Sequence, residues 1–329
     1  MGNFTDIQNE FNLRVNIKLG NYLNQQKSLN RPIDQNEINK IKVDELLQFR
    51  LDKMKDLSNK TDRNVICYYS AWLQGNLASP NQEVQIYDND MNGFMNAVYK
   101  LDKRKGLDLI LHTPGGVTTA TESIVKYLRK IFKNNIRVIV PHMAMSAGTM
   151  IACSSKSIIL GKESSLGPVD PQYHNVPAQG VLKEFERAIN EVVTSPNKSL
   201  VWREIIQQYR PTFIGECENV VKLSEELLRN WLETGMFKNS KLKNKTVIID
   251  NIVNELINHD KSKVHDRHYG FDECKQIGLK VKGLENDPDL QDKVLSLYHS
   301  YILSVYLMPN AIKFIEAQNG NSFVITGKR

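Results

Sequence analysis

Leu107-Asp108-Leu109-Ile110-Leu111-His112-Thr113-Pro114-Gly115-Gly116 is the stretch whose reading decides the fold. An apolar run of strand length meets Pro114, which cannot continue a ladder, and then two glycines that free the backbone from side-chain sterics. The arrangement recurs further on. Ile136-Arg137-Val138-Ile139-Val140 predicts another strand, Met145-Ser146-Ala147-Gly148-Thr149 another turn, and Met150-Ile151-Ala152-Cys153 the beginning of a buried helix. A serine at such a strand-to-helix junction has its hydroxyl exposed, and the N–H groups of the helix start face whatever that hydroxyl attacks.

Working outward, Asn64-Val65-Ile66-Cys67-Tyr68-Tyr69-Ser70-Ala71-Trp72 is rich in β-formers and predicts the first core strand. Asp88-Asn89-Asp90 offers an N-cap for a helix whose Phe94, Val98 and Leu101 share one face. Residues 118–132 carry Ile124, Leu128, Ile131 and Phe132 on one side, an amphipathic helix between two strands. Ser157-Ile158-Ile159-Leu160 adds a further strand. Strands alternating with helices predict βαβ units and a mostly parallel sheet with right-handed crossovers.

Beyond Gln172 the pattern turns helical, over residues 181–193, 198–209, 216–231, 246–259 and 290–307, with Pro196, Pro211 and Pro288 in the breaks. Thr246-Val247-Ile248-Ile249 fits a short strand equally well, and Ser322-Phe323-Val324-Ile325-Thr326 fits an edge strand. Residues 1–62 are polar, with apolar positions at helical spacing after Pro32. The expected organisation is therefore an N-terminal helical arm (1–62), an α/β core (63–210) and a C-terminal helical extension (211–329).

Composition narrows the function classes. A net charge of +6 with dispersed lysines gives no basic patch, so no nucleic-acid partner is expected. Cys67, Cys153, Cys217 and Cys274 form no CxxC pair, which predicts reduced, buried thiols rather than a zinc site or disulfide framework. The start lacks a basic and an apolar region of secretory type, and residues 138–155 are broken by Pro141 and by glycine, so the expectation is a cytoplasmic protein without stable membrane insertion.

Three motifs in order carry a family resemblance: His112-Thr113-Pro114-Gly115-Gly116, then Pro141-His142-Met143-Ala144-Met145-Ser146-Ala147-Gly148-Thr149, then Leu166-Gly167-Pro168-Val169-Asp170-Pro171-Gln172. The chain resembles the serine dehydrogenase proteinase family, related to signal peptide peptidase A and more distantly to the proteolytic subunit of Clp. The resemblance implies a ClpP/crotonase-like fold, a homo-oligomer, a polypeptide substrate, no cofactor or metal, and serine peptidase chemistry. It also implies that Ser146 is the nucleophile and that the N–H groups of Gly116 and Ala147 receive the oxyanion.

A hydroxyl is a weak nucleophile without a base. Clp-type relatives use a histidine after the serine, and the Pro168-Val169-Asp170-Pro171 region has none in register. Signal-peptide-peptidase-like relatives use a lysine, which points to Lys183, flanked by Val181, Leu182 and Phe185 that would favour its neutral form by burial. His142 and His174 compete for the role, and Asp170 is either a turn former or a group that orients the base. His112 is expected to end its strand with the imidazole held by backbone, and His265-Asp266-Arg267-His268 lacks a third ligand of metal spacing. Two rival functions use the same fold: a crotonase-like acyl-CoA enzyme and a catalytically silent peptide-binding scaffold.

Overall fold

The computed structural model describes residues 3–74, 83–173, 176–258 and 267–327. Helices α1 (Phe4–Ser28) and α2 (Gln35–Thr61) come first, begun by the capping side chains of Asn3 and Asp34. The core follows as β1 (Asn64–Ser70), α3 (Asp90–Val98), β2 (Leu107–His112), α4 (Thr118–Phe132), β3 (Ile136–Val140), β4 (Met143–Ala144), α5 (Ala147–Cys153), β5 (Ser157–Leu160) and β6 (Ser165–Leu166). A short hairpin, β7 (Gln172–Tyr173) and β8 (Val176–Pro177), leads into α6 (Ala178–Thr194), α7 (Ser199–Ile206), α8 (Phe213–Thr234), α9 (Lys245–Ile257) and α10 (Phe271–Ile277). The chain ends through β9 (Val281–Gly283), α11 (Pro288–Leu307), β10 (Ala311–Ala317) and β11 (Ser322–Thr326).

The main sheet runs β11-β10-β1-β2-β3-β5-β9, with β1, β2, β3, β5 and β9 parallel and β10 antiparallel to both neighbours. Side chains alternate between its faces, as the period of two requires. Ile66, Leu109, Val138 and Ile158 pack under α4, α5, α8 and α9, whereas Val65, Ile110, Ile139 and Ile159 pack under α2 and α11. Helix α1 lies on the outside of that second layer, where Ile7, Phe11 and Val15 meet Leu46, Phe49 and Leu303. Past its C-terminal edge the sheet continues into a smaller parallel pair, β4 and β6, joined to it by a bridge between Thr113 and Ala144.

The stretch from residue 211 onward, expected as helices and one edge strand, also supplies β9 and β10 to this sheet. Strand β10 carries Lys313 and Glu316, each 1 % exposed, and two ionisable side chains in seven residues hide a fully buried strand from pattern reading. Strand β9 is only three residues long. Residues 246–249 are helical: Ile249, Ile252, Val253 and Leu256 are buried at helical spacing, and this outweighs the β-branched run. The edge strand at 322–326 forms as the sequence predicts.

The helical arm is fastened to the sheet by a buried charge pair. Arg50 of α2 donates to both carboxylate oxygens of Glu316 on β10, at 2.8 and 2.9 Å, and its remaining nitrogen donates to Ser304 on α11. Tyr301 and Ser322 donate to the same carboxylate. Burial by itself would raise the Glu316 pKa, but the charge and hydrogen bonds of Arg50 outweigh it and hold the group below its usual range. A depressed carboxylate stabilises the fold above the unfolded pKa, and that stabilisation is lost as pH falls through the folded value. Arg50→Met strands the carboxylate in the core and should cost about 3–5 kcal/mol. Denaturant unfolding should show the double variant Arg50→Met/Glu316→Leu recovering much of that loss.

Candidate active site

Ser146 stands between β4 and α5 at φ 51° and ψ −114°, a left-handed backbone that L side chains adopt at a cost of about 1–3 kcal/mol. The neighbouring hydrogen bonds fix it there. Thr113 binds across the two turns, its N–H donating to Met143 O and its carbonyl accepting from Met145 N–H. Gly148 N–H donates back to Met145 O at 2.7 Å. The Thr149 hydroxyl lies 2.9 Å from Ala144 O and 2.8 Å from Gly167 O, and it accepts from Gly167 N–H. The third motif is thereby tied to the second.

The first motif closes over the serine. Gly115 has φ +97°, and a Cβ on it would lie 2.8 Å from Ser146 Cβ and 2.7 Å from Met145 O. Gly116 has φ +156°, and a Cβ there would lie 2.3 Å from Ile86 N. Both glycines are required by close approach of backbone to backbone. Ile86 bridges this loop, donating to Gly115 O and accepting from Val117 N–H. The N–H groups of Gly116 and Ala147 donate to no other backbone group among the described residues.

A cleft of about 640 Å³ opens at this point, lined by Gly116, Ser146, Met150, Val169, Val220 and Leu223 among others. Val220 and Leu223 come from α8, and Gln85 from the segment ahead of α3; sequence reading singled out none of them, because no motif surrounds them. Asp170 is 1 % exposed between the cleft-lining Val169 and Pro171, with Gln172 Nε2 at 3.5 Å. Lys183 lies on α6 and lines a separate groove with Glu186, Arg187, Asn190, Glu191 and Thr194. His174 and the pair His265-Asp266 fall outside the described residues.

His142 and His112 sit together on the α11 side of the sheet. Their rings stack with centroids 5.7 Å apart, His142 Nδ1 lies 3.0 Å from the Tyr298 hydroxyl, and neither histidine lines the cleft at Ser146. His112 does end β2, and Met143 N–H approaches its Nδ1 at 3.4 Å, whereas its buried Nε2 has no partner among the described residues. His268 Nδ1 pairs with Ser165 Oγ at 2.8 Å. The four cysteines are buried and unpaired. No group of three metal-binding side chains occurs among the described residues, and no described helix is long and apolar enough to cross a membrane.

The profile of the ClpP-like SDH-type serine proteinases matches residues 38–322. The chain belongs to that family. An uncharacterized protein of Methanocaldococcus jannaschii is 29% identical over 261 residues, covering 79% of this chain and 81% of that one. A second uncharacterized protein of the same organism is 39% identical over 98 residues, 30% of this chain and 33% of that one. The α/β sheet with its paired glycine and serine turns is thus the ClpP-like fold of a serine proteinase family.

Burial, and then the neighbouring His142, pull the His112 pKa from 6.5 to about 3. The folded protein therefore refuses a proton that the unfolded chain accepts, so His112 costs stability as pH falls below 6.5, by roughly 1.4 kcal/mol per pH unit down to about 3. His112→Phe, which keeps a ring beside Tyr69 and Trp72, should flatten the acid limb of the stability curve by that slope. Chemical denaturation at a series of pH values measures the difference.

Proposed function

We propose that this chain is a serine endopeptidase that cleaves polypeptides through an acyl-enzyme on Ser146. The observation that carries the reading is the seating of the Gly115-Gly116 turn against a serine of positive φ, at the mouth of a cleft with apolar walls. The Ser146 hydroxyl attacks the scissile carbonyl carbon and its proton passes to the base. The carbonyl oxygen, now an oxyanion, receives the N–H groups of Gly116 and Ala147. Collapse of the tetrahedral adduct breaks the C–N bond, the base protonates the departing amine, and water repeats the sequence on the ester.

The base in this proposal is Lys183. Its helix leaves the hairpin that borders the cleft, and Ala178 N–H at the start of α6 donates to Pro171 O, a cleft residue. Since Lys183 faces a groove of its own, the dyad requires α6 to turn it toward Ser146 when substrate or a second copy is bound. The buried Asp170, between two cleft-lining residues, supports a second assignment in which a carboxylate takes the proton. The enzyme is proposed to act in the cytoplasm as a homo-oligomer, for which Ile189, Val193, Leu200 and Val201, all more than 60 % exposed, offer an apolar contact.

Ser146→Ala removes one hydroxyl and little volume. It should abolish casein hydrolysis and labelling by a fluorophosphonate while the far-ultraviolet spectrum stays that of the wild type; undiminished turnover would exclude the nucleophile. Lys183→Arg should be as inactive as Lys183→Ala, because a guanidinium keeps its proton at any working pH, with a loss of roughly 10²–10⁴-fold for either. Near wild-type turnover by Lys183→Arg, alongside an inactive Asp170→Asn, would move the base to the carboxylate.

A further inference from the structure

Ile86 is the residue on which the Gly115-Gly116 loop rests, and the backbone on either side of it is held by buried side chains from elsewhere in the fold. Before it, Ser70 Oγ donates to Val84 O at 2.6 Å and Lys313 Nζ donates to Gln85 O at 2.5 Å. After it, Tyr87 N–H donates to Asp90 Oδ2 at 3.1 Å. Lys313 also donates to both Asp90 oxygens, at 2.8 and 3.1 Å, and the Tyr68 hydroxyl donates to Asp90 Oδ2 at 2.7 Å. Lys313, Asp90 and Tyr68 are each at most 1 % exposed.

A buried ion pair adds little stability over an apolar pair of the same volume, because desolvation offsets its attraction. This pair does what apolar side chains cannot, binding one carbonyl and one N–H that bracket a single residue. That residue grips the loop at Gly115 O and Val117 N–H, leaving the Gly116 N–H between the two bonds to point elsewhere. We infer that Lys313, Asp90 and Tyr68 are positioning residues for the oxyanion donor: by fixing the backbone around Ile86 they set the direction of the Gly116 N–H at Ser146. The inference rests on the serine-peptidase reading and adds to it a requirement from the end of the chain.

The test is the neutral double variant Asp90→Asn/Lys313→Met, which strands no charge, with Tyr68→Phe as a milder change that keeps the ring stacked on Phe94. In protein that remains folded at the assay temperature, kcat and the rate of fluorophosphonate labelling at Ser146 should fall together, by about 10- to 100-fold in the double variant and several-fold in Tyr68→Phe, with KM little changed. Hydrogen exchange in the peptide covering residues 113–117 should quicken. If the double variant does not fold, Tyr68→Phe decides by the same split between kcat and KM. A wild type labelled at Ser146 whose folded variants label at the same rate would overturn the clamp, as would a loss of activity that only follows the unfolded fraction. Wild-type protein that is not labelled at all would instead overturn the peptidase reading, a different result.

Discussion

Everything at the site depends on two turns approaching more closely than any side chain permits. Gly115 meets the backbone at Met145 and Ala147, and Gly116 meets Ile86, each at a separation that a Cβ would occupy. The approach seats the glycine loop against Ser146, and it leaves the serine in a backbone state that the surrounding hydrogen bonds must enforce. Thr113, Thr149 and Gly167 supply those bonds. The three motifs are therefore parts of one lattice of short contacts, and the sheet serves to deliver their ends to one place.

The serine turn and the glycine loop were legible because each breaks a local rule in public: a proline after a strand, glycines beside it, a serine at a strand-to-helix junction. The βαβ order was legible from periodicity, since β1, β2, β3 and β5 alternate with helices of clear amphipathic spacing. The C-terminal contribution was hidden for the opposite reason. In Ala311-Ile312-Lys313-Phe314-Ile315-Glu316-Ala317 the ionisable residues read as solvent-facing, yet both are buried because each meets a partner more than two hundred residues away, Asp90 for Lys313 and Arg50 for Glu316. Partners at that separation leave no mark in a local window. A lysine and a glutamate inside an otherwise apolar run were the one available signal.

The proposed base illustrates a different kind of gap. Lys183 stands on a helix where Val181, Leu182 and Phe185 were expected to favour burial, and the fold buries Val181 but only half-buries the other two. Spacing on a helix says which residues share a face; it does not say which cleft that face overlooks. The histidines show the same limit. His142 is four residues from Ser146 in sequence, yet the intervening β4 carries the chain from the α11 side of the sheet to the other, so proximity along the chain becomes separation across a layer.

Strand β10 lies between β1 and β11 although it is made from residues 311–317. A ribosome that has finished the serine, the glycine loop and every parallel strand has still not made the strand that covers β1. Until Ala311 emerges, β1 is the raw edge of the sheet and Asp90 has no ammonium beside it. The order of synthesis thus places the Lys313–Asp90 pair, and the strand that carries its lysine, after every other part of the serine and glycine turns.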